Sequence, residues 1–302
     1  MDTFVLSWGG LAILGTVFQL GRNACQKSLK DYVNDWMVTA TRFFFGVPLV
    51  AMVYIWGIGA PAFPQNRMFY LYCLIGALAQ IGGTRCLMGC FTHRQFAVGI
   101  TFMKLESVVT AIFGAMIFAD HLTGLGMVMV GLGCLGVVIV AIGHQKISWN
   151  NIRSSMGSPA VLYGVSSGVC FAVASVLFRQ ANILVNDFQP IDRGVITLLV
   201  VLLIQTIVMV AVMGMNPNDQ WRKLMLRLPH AIIIGCLGAA ASICWFIAFG
   251  LANAAYVKTV GQMDAVLSLL VGWVWFKERL KFMECLGIGL VVGSVIATLI
   301  MV

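Results

Sequence analysis

Two apolar runs, each long enough to cross a bilayer, enclose a carboxyl group, and they stand 158 positions apart. The first is Phe96–Leu122, with Glu106 inside it; the second is Ala254–Leu280, with Asp264. Under that shift Ala97 falls on Ala255, Val108 on Val266, Gly114 on Gly272, Phe118 on Phe276 and Leu122 on Leu280. An ionisable side chain at mid-bilayer costs roughly 2.5–3.5 kcal/mol on insertion scales. A chain that places one twice in the same register reads as two copies of one unit, each built around such a segment.

Apolar segments of this length recur along the whole chain. They fall at about 4–24, 36–56, 68–90, 96–118, 122–143, 158–181, 191–214, 230–250, 254–276 and 281–301, each close to the roughly 20 residues a spanning helix needs. Sixty per cent of residues are hydrophobic, only 10% are charged, and the mean hydropathy is +0.95. A soluble domain carries about 25% charged residues, and no soluble core of this size absorbs so much apolar surface. An outer-membrane barrel is excluded, because its strands alternate polar and apolar residues and these runs are continuous. The expected fold is therefore an all-α membrane protein of ten transmembrane helices. The polar stretch 144–157 reads as a linker between a first five-helix repeat, 1–143, and a second, 158–302.

Five helices per repeat is odd, so the second copy must enter the membrane from the opposite side, giving two inverted repeats (5+5). Loop charges agree. Loops after odd-numbered segments hold Lys27, Lys30, Arg94, Lys146, Arg153, Arg222, Lys223, Arg227, Lys277, Arg279 and Lys281, whereas those after even-numbered segments hold only Arg67 and Arg193. The positive-inside rule then places both termini in the periplasm of a bacterial inner membrane. The net charge of +8 is accounted for by this topology and by contact with anionic lipid; nucleic-acid motifs are absent. The first run begins at Phe4 with no basic residue before it, so no cleavable signal peptide is expected.

Glu106 and Asp264 lie about ten residues from either end of their segments, too deep to snorkel, and are assigned as the proton-responsive or cation-binding groups. At 100° per residue Lys104 and Glu106 point in nearly opposite directions and cannot pair with each other. In the second copy Gln262 takes the place of Lys104, with Lys258 one turn before it. The first segment adds a polar stripe of Gly15, Gln19, Arg22 and Gln26, and the third and seventh add Gln80, Arg85 and Gln205. Polar stripes on membrane helices face the bundle interior. Gln19, Arg22, Arg85, Lys104, Trp245, Lys258 and Gln262 are the candidate substrate-binding residues. Trp8, Trp273 and Trp275 either line a cavity or sit at the interfaces. Gly131, Gly133 and Gly136 in the fifth segment, and Gly289 and Gly293 in the tenth, are small enough for close helix contact, so these helices are expected to pack on each other or on a second subunit; the protein is expected as a monomer or homodimer.

The nine cysteines lie mostly in apolar segments and read as small hydrophobes. Cys86, Cys90 and His93 share a helix face, but a fourth ligand is missing, so no metal and no cofactor are expected. His93, His121, His144 and His230 are scattered near segment ends, and no nucleophile–base pair or phosphate loop accompanies them; an enzyme is not expected.

Ala40-Thr41-Arg42-Phe43 resembles the alanine-rich Arg-Phe of the second helix in the EamA branch of the drug/metabolite transporter superfamily. Phe276-Lys277-Glu278-Arg279-Leu280 resembles the motif that closes that family's ninth helix, and Gly287, Gly289 and Gly293 its glycine-rich last helix. Where the family commonly carries proline in the fourth and ninth helices, this chain has Lys104-Leu105-Glu106 and Gln262-Met263-Asp264. The resemblance implies a secondary transporter working by alternating access, often exchanging substrate for protons or another solute. The surplus of embedded base over acid points to a small polar metabolite, most simply a zwitterion such as an amino acid. An exporter of organic cations or drugs is the alternative within the class. A non-transporting structural or accessory membrane protein, its charges locked in static pairs, is the alternative outside it.

Overall fold

A computed structural model describes residues 7–90, 102–145, 158–214, 220–276 and 281–301. These residues are helical apart from short turns. In chain order the helices are α1 (Trp8–Leu29), α2 (Asp35–Phe44), α3 (Gly46–Met52), α4 (Arg67–Cys90), α5 (Glu106–Phe118), α6 (Gly124–Gln145), α7 (Pro159–Ile183), α8 (Pro190–Gly214), α9 (Gln220–Met225), α10 (Leu228–Leu251), α11 (Ala254–Gly261), α12 (Met263–Phe276) and α13 (Phe282–Met301). The duplication is visible in their register. α6 and α13 begin 158 positions apart, at Gly124 and Phe282, and α5 and α12 begin 157 apart, at Glu106 and Met263.

Helix starts carry the side chains their free backbone N–H groups require. Gly10 N donates to Ser7 Oγ at 3.2 Å, Met37 N to Asn34 Oδ1 at 2.8 Å and Gly126 N to Thr123 Oγ1 at 3.0 Å. Proline opens α7 and α8, where a missing N–H costs nothing. Pro48 has the opposite effect. It cannot donate to the carbonyl four residues back, so the helix that starts at Asp35 breaks at Phe45.

Among the described residues, seven helical stretches are long and apolar enough to cross a membrane: 35–57, 67–90, 124–143, 159–183, 190–213, 228–251 and 282–301. The expected first segment is the helix α1, more polar than these. The expected fourth and ninth are not single long helices. α5 has 13 described residues, and the ninth segment is divided into α11 and α12.

Cα packing divides the chain into two compact units, each drawing on both halves of the sequence. One comprises residues 1–85 and 177–251, the other 86–176 and 252–302. In the first, α1 lies along α10. A methyl on Gly15 would lie 3.2 Å from Cys244 Cβ and 3.3 Å from the Trp245 indole, and one on Gly194 would lie 2.9 Å from the Ile247 backbone. Phe178 and Phe246, both fully buried, meet with ring centres 4.6 Å apart.

In the second unit α6 lies along α13. A methyl on Gly136 would stand 2.9 Å from the Gly287 carbonyl oxygen, and one on Gly287 would stand 2.7 Å from that of Gly136. The helix pair expected from the sequence is therefore present, on some of the expected glycines and one further one. Gly131, Gly289 and Gly293 face open space, whereas Gly133, Gly136 and Gly287 make the contact. Gly289 is two residues beyond Gly287, about 200° around the helix, and so cannot share its face. Substitution of Gly136 or Gly287 by leucine should cost about 1–3 kcal/mol of stability by overpacking, while Gly289→Ala and Gly293→Ala should stay within about 0.5 kcal/mol of wild type. Denaturation of the four variants in detergent micelles distinguishes the two faces.

Candidate functional site

The site begins with how α5 and α12 start. The helical path tightens just before each, within one residue of the same place under the 158-residue shift. Leu105 N donates to Phe102 O at 3.1 Å and Gln262 N to Thr259 O at 3.1 Å, replacing the usual four-residue spacing by three. No proline causes this. A tightened turn in mid-segment leaves carbonyls to be satisfied by other groups and marks a point where direction changes.

The charges flanking these turns suit the half-helices they create. Glu106 and Asp264 lie in the first turns of α5 and α12, where the N-terminal end of the helix dipole favours an anion. Lys258 lies in the last turn of α11, where the dipole favours a cation. The pattern lysine–x–glutamate and glutamine–x–aspartate inside an apolar run was the sequence signal for the interruption; reading each run as one helix missed it.

Helix direction then decides the pairing. Lys104 and Glu106 each pair elsewhere, and each acid meets a lysine from the other half of the sequence. Lys258 Nζ lies 2.6 Å from Glu106 Oε1, and Lys104 Nζ is paired with Asp264 Oδ2. All four side chains are 15–17% exposed. The two acids expected to stand ready for a solute thus each already hold a lysine. Asp264 Oδ1 remains buried without a hydrogen-bond partner among the described residues.

Next to the ion pairs is a small polar network that the sequence did not single out. Gln262 Nε2 donates to Ser107 Oγ and lies 3.4 Å from Cys134 Sγ. Ser107 Oγ and Cys134 Sγ are 3.2 Å apart, and the thiol donates to the Lys104 carbonyl at 3.3 Å. The carbonyl is thereby satisfied. A methyl on Gly133 would collide with the Gln262 amide, so glycine at 133 is what admits Gln262. Gln262 Oε1, like Asp264 Oδ1, is a buried acceptor without a donor among the described residues. Asn253 Nδ2 donates to the Asp120 carbonyl at 3.2 Å, and Tyr256 Oη lies 3.3 Å from Thr123 Oγ1. These contacts hold the start of α11 against the end of α5 and the turn that follows.

Lys104, Glu106, Lys258, Gln262 and Asp264 therefore converge within the second unit. The remaining candidates lie in the first. Arg22 is buried, and Gly15 and Gln26 of its stripe are buried with it; Gln19 is half-buried. Gln26 Nε2 donates to the Val38 carbonyl at 3.3 Å. Trp245 packs across Gly15 and stacks with Phe249 at 6.1 Å. Arg85 is engaged elsewhere: its Nη1 lies 3.0 Å from Asp35 Oδ2, and Asp35 also holds Lys30 at 3.2 Å. Gln80 accepts from Gln205 Nε2 at 2.7 Å. The side chains of Trp273 and Trp275, and His93 altogether, lie outside the described residues. Cys90 donates to the Ala160 carbonyl at 3.7 Å, a packing contact, and no metal-binding cluster occurs among the described residues.

Span-length apolar helices with paired charges between them define a polytopic helical membrane protein. Residues 158–300 match the model of the EamA-like transporter family. A solved crystal structure, described only as that of a protein, superposes with a TM-score of 0.70 at 17% identity, covering 97% of this chain and 96% of that one; at this identity the likeness speaks for the fold alone. No curated protein matches the chain in sequence. The second half of the chain is thus similar to the EamA-like transporters.

Breaking one member of a buried ion pair strands the other. Lys258→Met and Lys104→Met should each lower the unfolding free energy by about 3–5 kcal/mol. The double variants K258M/E106Q and K104M/D264N should recover most of that loss. Denaturation in micelles measures the coupling, and equal losses in single and double variants would show that there is none.

Proposed function

We propose that the protein is a secondary transporter for a small polar, zwitterionic metabolite such as an amino acid, and that the two crossed ion pairs are its coupling element. The EamA match supports the transporter class. The observation that carries the rest is the reciprocal exchange of charge. Each acid sits at the start of a half-helix, at duplicated positions, and is held by a lysine from the opposite half. Protonation of Glu106 or Asp264 cancels one attraction and releases one lysine, so a proton and a rearrangement of α5 against α11 and α12 are linked by charge alone. An equilibrium between two arrangements moves only as far as its ligands discriminate between them, and a proton that breaks one pair discriminates strongly.

The rest of the reading follows the sequence: ten helices as two inverted five-helix repeats, in the inner membrane, both termini periplasmic, alternating access about a midplane site. Two observations favour a zwitterion over an organic cation. Both acids of the site already have lysine partners, leaving little net negative charge to attract a cation. Yet Asp264 Oδ1 and Gln262 Oε1 remain acceptors without donors, which suits an ammonium group that also brings a carboxylate.

A second reading is favoured by the same ion pairs, since static pairs would serve a non-transporting scaffold equally well. Purified protein in proteoliposomes separates the two. Transport predicts uptake of an amino-acid pool against a pH gradient, with Glu106→Gln and Asp264→Asn each flattening its pH dependence. The charge-reversed pair K104D/D264K should retain stability but lose most of the flux. A pH dependence unchanged in both acid variants removes the proton role, and no solute flux from any pool favours the scaffold.

A further inference from the structure

We infer that Arg22 and Arg42 form an oxyanion site in the first unit, seated on Gly238, that takes the carboxylate or phosphate of a small solute. The site deepens the transport reading by naming the anionic part of the cargo, and rests on it only for its role in transport; anion binding itself is independent of flux.

Both residues are buried: Arg22 is 4% exposed and Arg42 6%. Neither snorkels, although each is near a helix end, so the usual refuge of a membrane arginine is not used. Their side chains cross the same glycine of α10. A methyl on Gly238 would lie 3.2 Å from Arg42 Cγ and 3.4 Å from Arg22 Cδ, and the two charges are close enough to act on each other. Two like charges brought together in a low dielectric repel, and a chain that keeps them there normally supplies a carboxylate. Among the described residues neither arginine has one. The nearby Asp35 is committed to Lys30 and Arg85.

The donors are also underused. A guanidinium offers five N–H groups in a planar fork. Arg22 directs Nε and Nη2 at Asn23 Oδ1, at 3.3 and 2.8 Å, leaving Nη1 free of any recorded protein partner. Arg42 makes one long hydrogen bond, Nη1 to Thr84 Oγ1 at 3.5 Å, with its guanidinium 5.5 Å from the centre of the Phe43 ring, and its Nε is buried without a hydrogen-bond partner among the described residues. Two forks with spare donors, no internal counter-charge and a glycine floor match the geometry of an oxyanion, for which arginine is the favoured ligand.

The test is a thermal-shift series on the purified full-length protein in uncharged detergent, with acetate, inorganic phosphate and chloride at equal ionic strength. Acetate or phosphate, at about 100 times its Kd, should raise the melting temperature by roughly 5 °C more than chloride does. Arg22→Gln and Arg42→Gln should each weaken apparent affinity at least tenfold, and Gly238→Ala, which changes no charge, should weaken it as well. Arg42→Lys, which keeps the charge without the fork, should fall between wild type and Arg42→Gln. The anion-free melting temperatures of the two glutamine variants should equal or exceed that of wild type, since each removes an unpaired buried charge, so a loss of binding is not a loss of folding. A parallel arm with phosphatidate in the micelles tests a lipid headgroup as the source of the phosphate. Stabilisation by phosphatidate alone would overturn the solute assignment. Absence of any oxyanion effect beyond chloride, or an effect that survives both glutamine substitutions, would overturn the site. Arginine-dependent binding without flux in vesicles removes the transport reading and leaves the site; flux without it removes the site alone.

Discussion

A lysine and a carboxylate that share a hydrocarbon interior have few alternatives to each other, and that constraint organises the second unit. Lys104 must find Asp264 and Lys258 must find Glu106, because desolvating any one of them alone costs several kcal/mol. The pairing in turn requires α5 and the α11–α12 segment to approach closely, which requires small residues behind them. Gly133 admits the Gln262 amide, and the reciprocal contact of Gly136 with Gly287 brings α6 and α13 together. The tightened turns before α5 and α12 are part of the same solution. They create helix ends inside an apolar segment, and the acids and Lys258 occupy the ends whose dipoles suit them.

The first unit meets the problem of embedded charge differently. Arg85 has a carboxylate, shared with Lys30, at Asp35. Among the described residues Arg22 and Arg42 have neutral partners, Asn23 for the one and Thr84 and the Phe43 ring for the other. Without a hydrophobic drive between helices in lipid, association relies on close packing of small faces and on polar contacts. Both kinds occur here side by side, as at Gly15 against Trp245 and at Gln80 with Gln205. The first unit thus holds both a paired carboxylate, at Asp35, and two arginines without one among the described residues.

Much of this was legible in the residues. Apolar length set the membrane class, the 158-residue shift located the corresponding acids, and the helical angle excluded a Lys104–Glu106 pair. The polar stripe of α1 is buried at Gly15, Arg22 and Gln26, as its spacing required. Other features were not legible. Counting glycines found the right helices and, at Gly133 and Gly136, the right face of α6, but the wrong face of α13, because Gly289 and Gly293 satisfy a spacing motif without being aimed at a neighbour. Arg42 stood in the sequence as part of an alanine-rich Arg-Phe motif of the second segment, and nothing local placed it beside Arg22, twenty residues earlier and on another helix. Ser107 and Cys134 carried no signal, since a serine and a cysteine in an apolar run read as packing.

By itself the sequence determined what local chemistry determines: which stretches are apolar enough for lipid, which carry charge, how those charges recur, and which directions adjacent side chains take along a helix. Only the tertiary structure decided who meets whom. Whether Glu106 faces a lysine or a solute, and whether two arginines share one glycine, depends on which helix faces are brought together over long sequence separations. A periodicity specifies a face but not its neighbour.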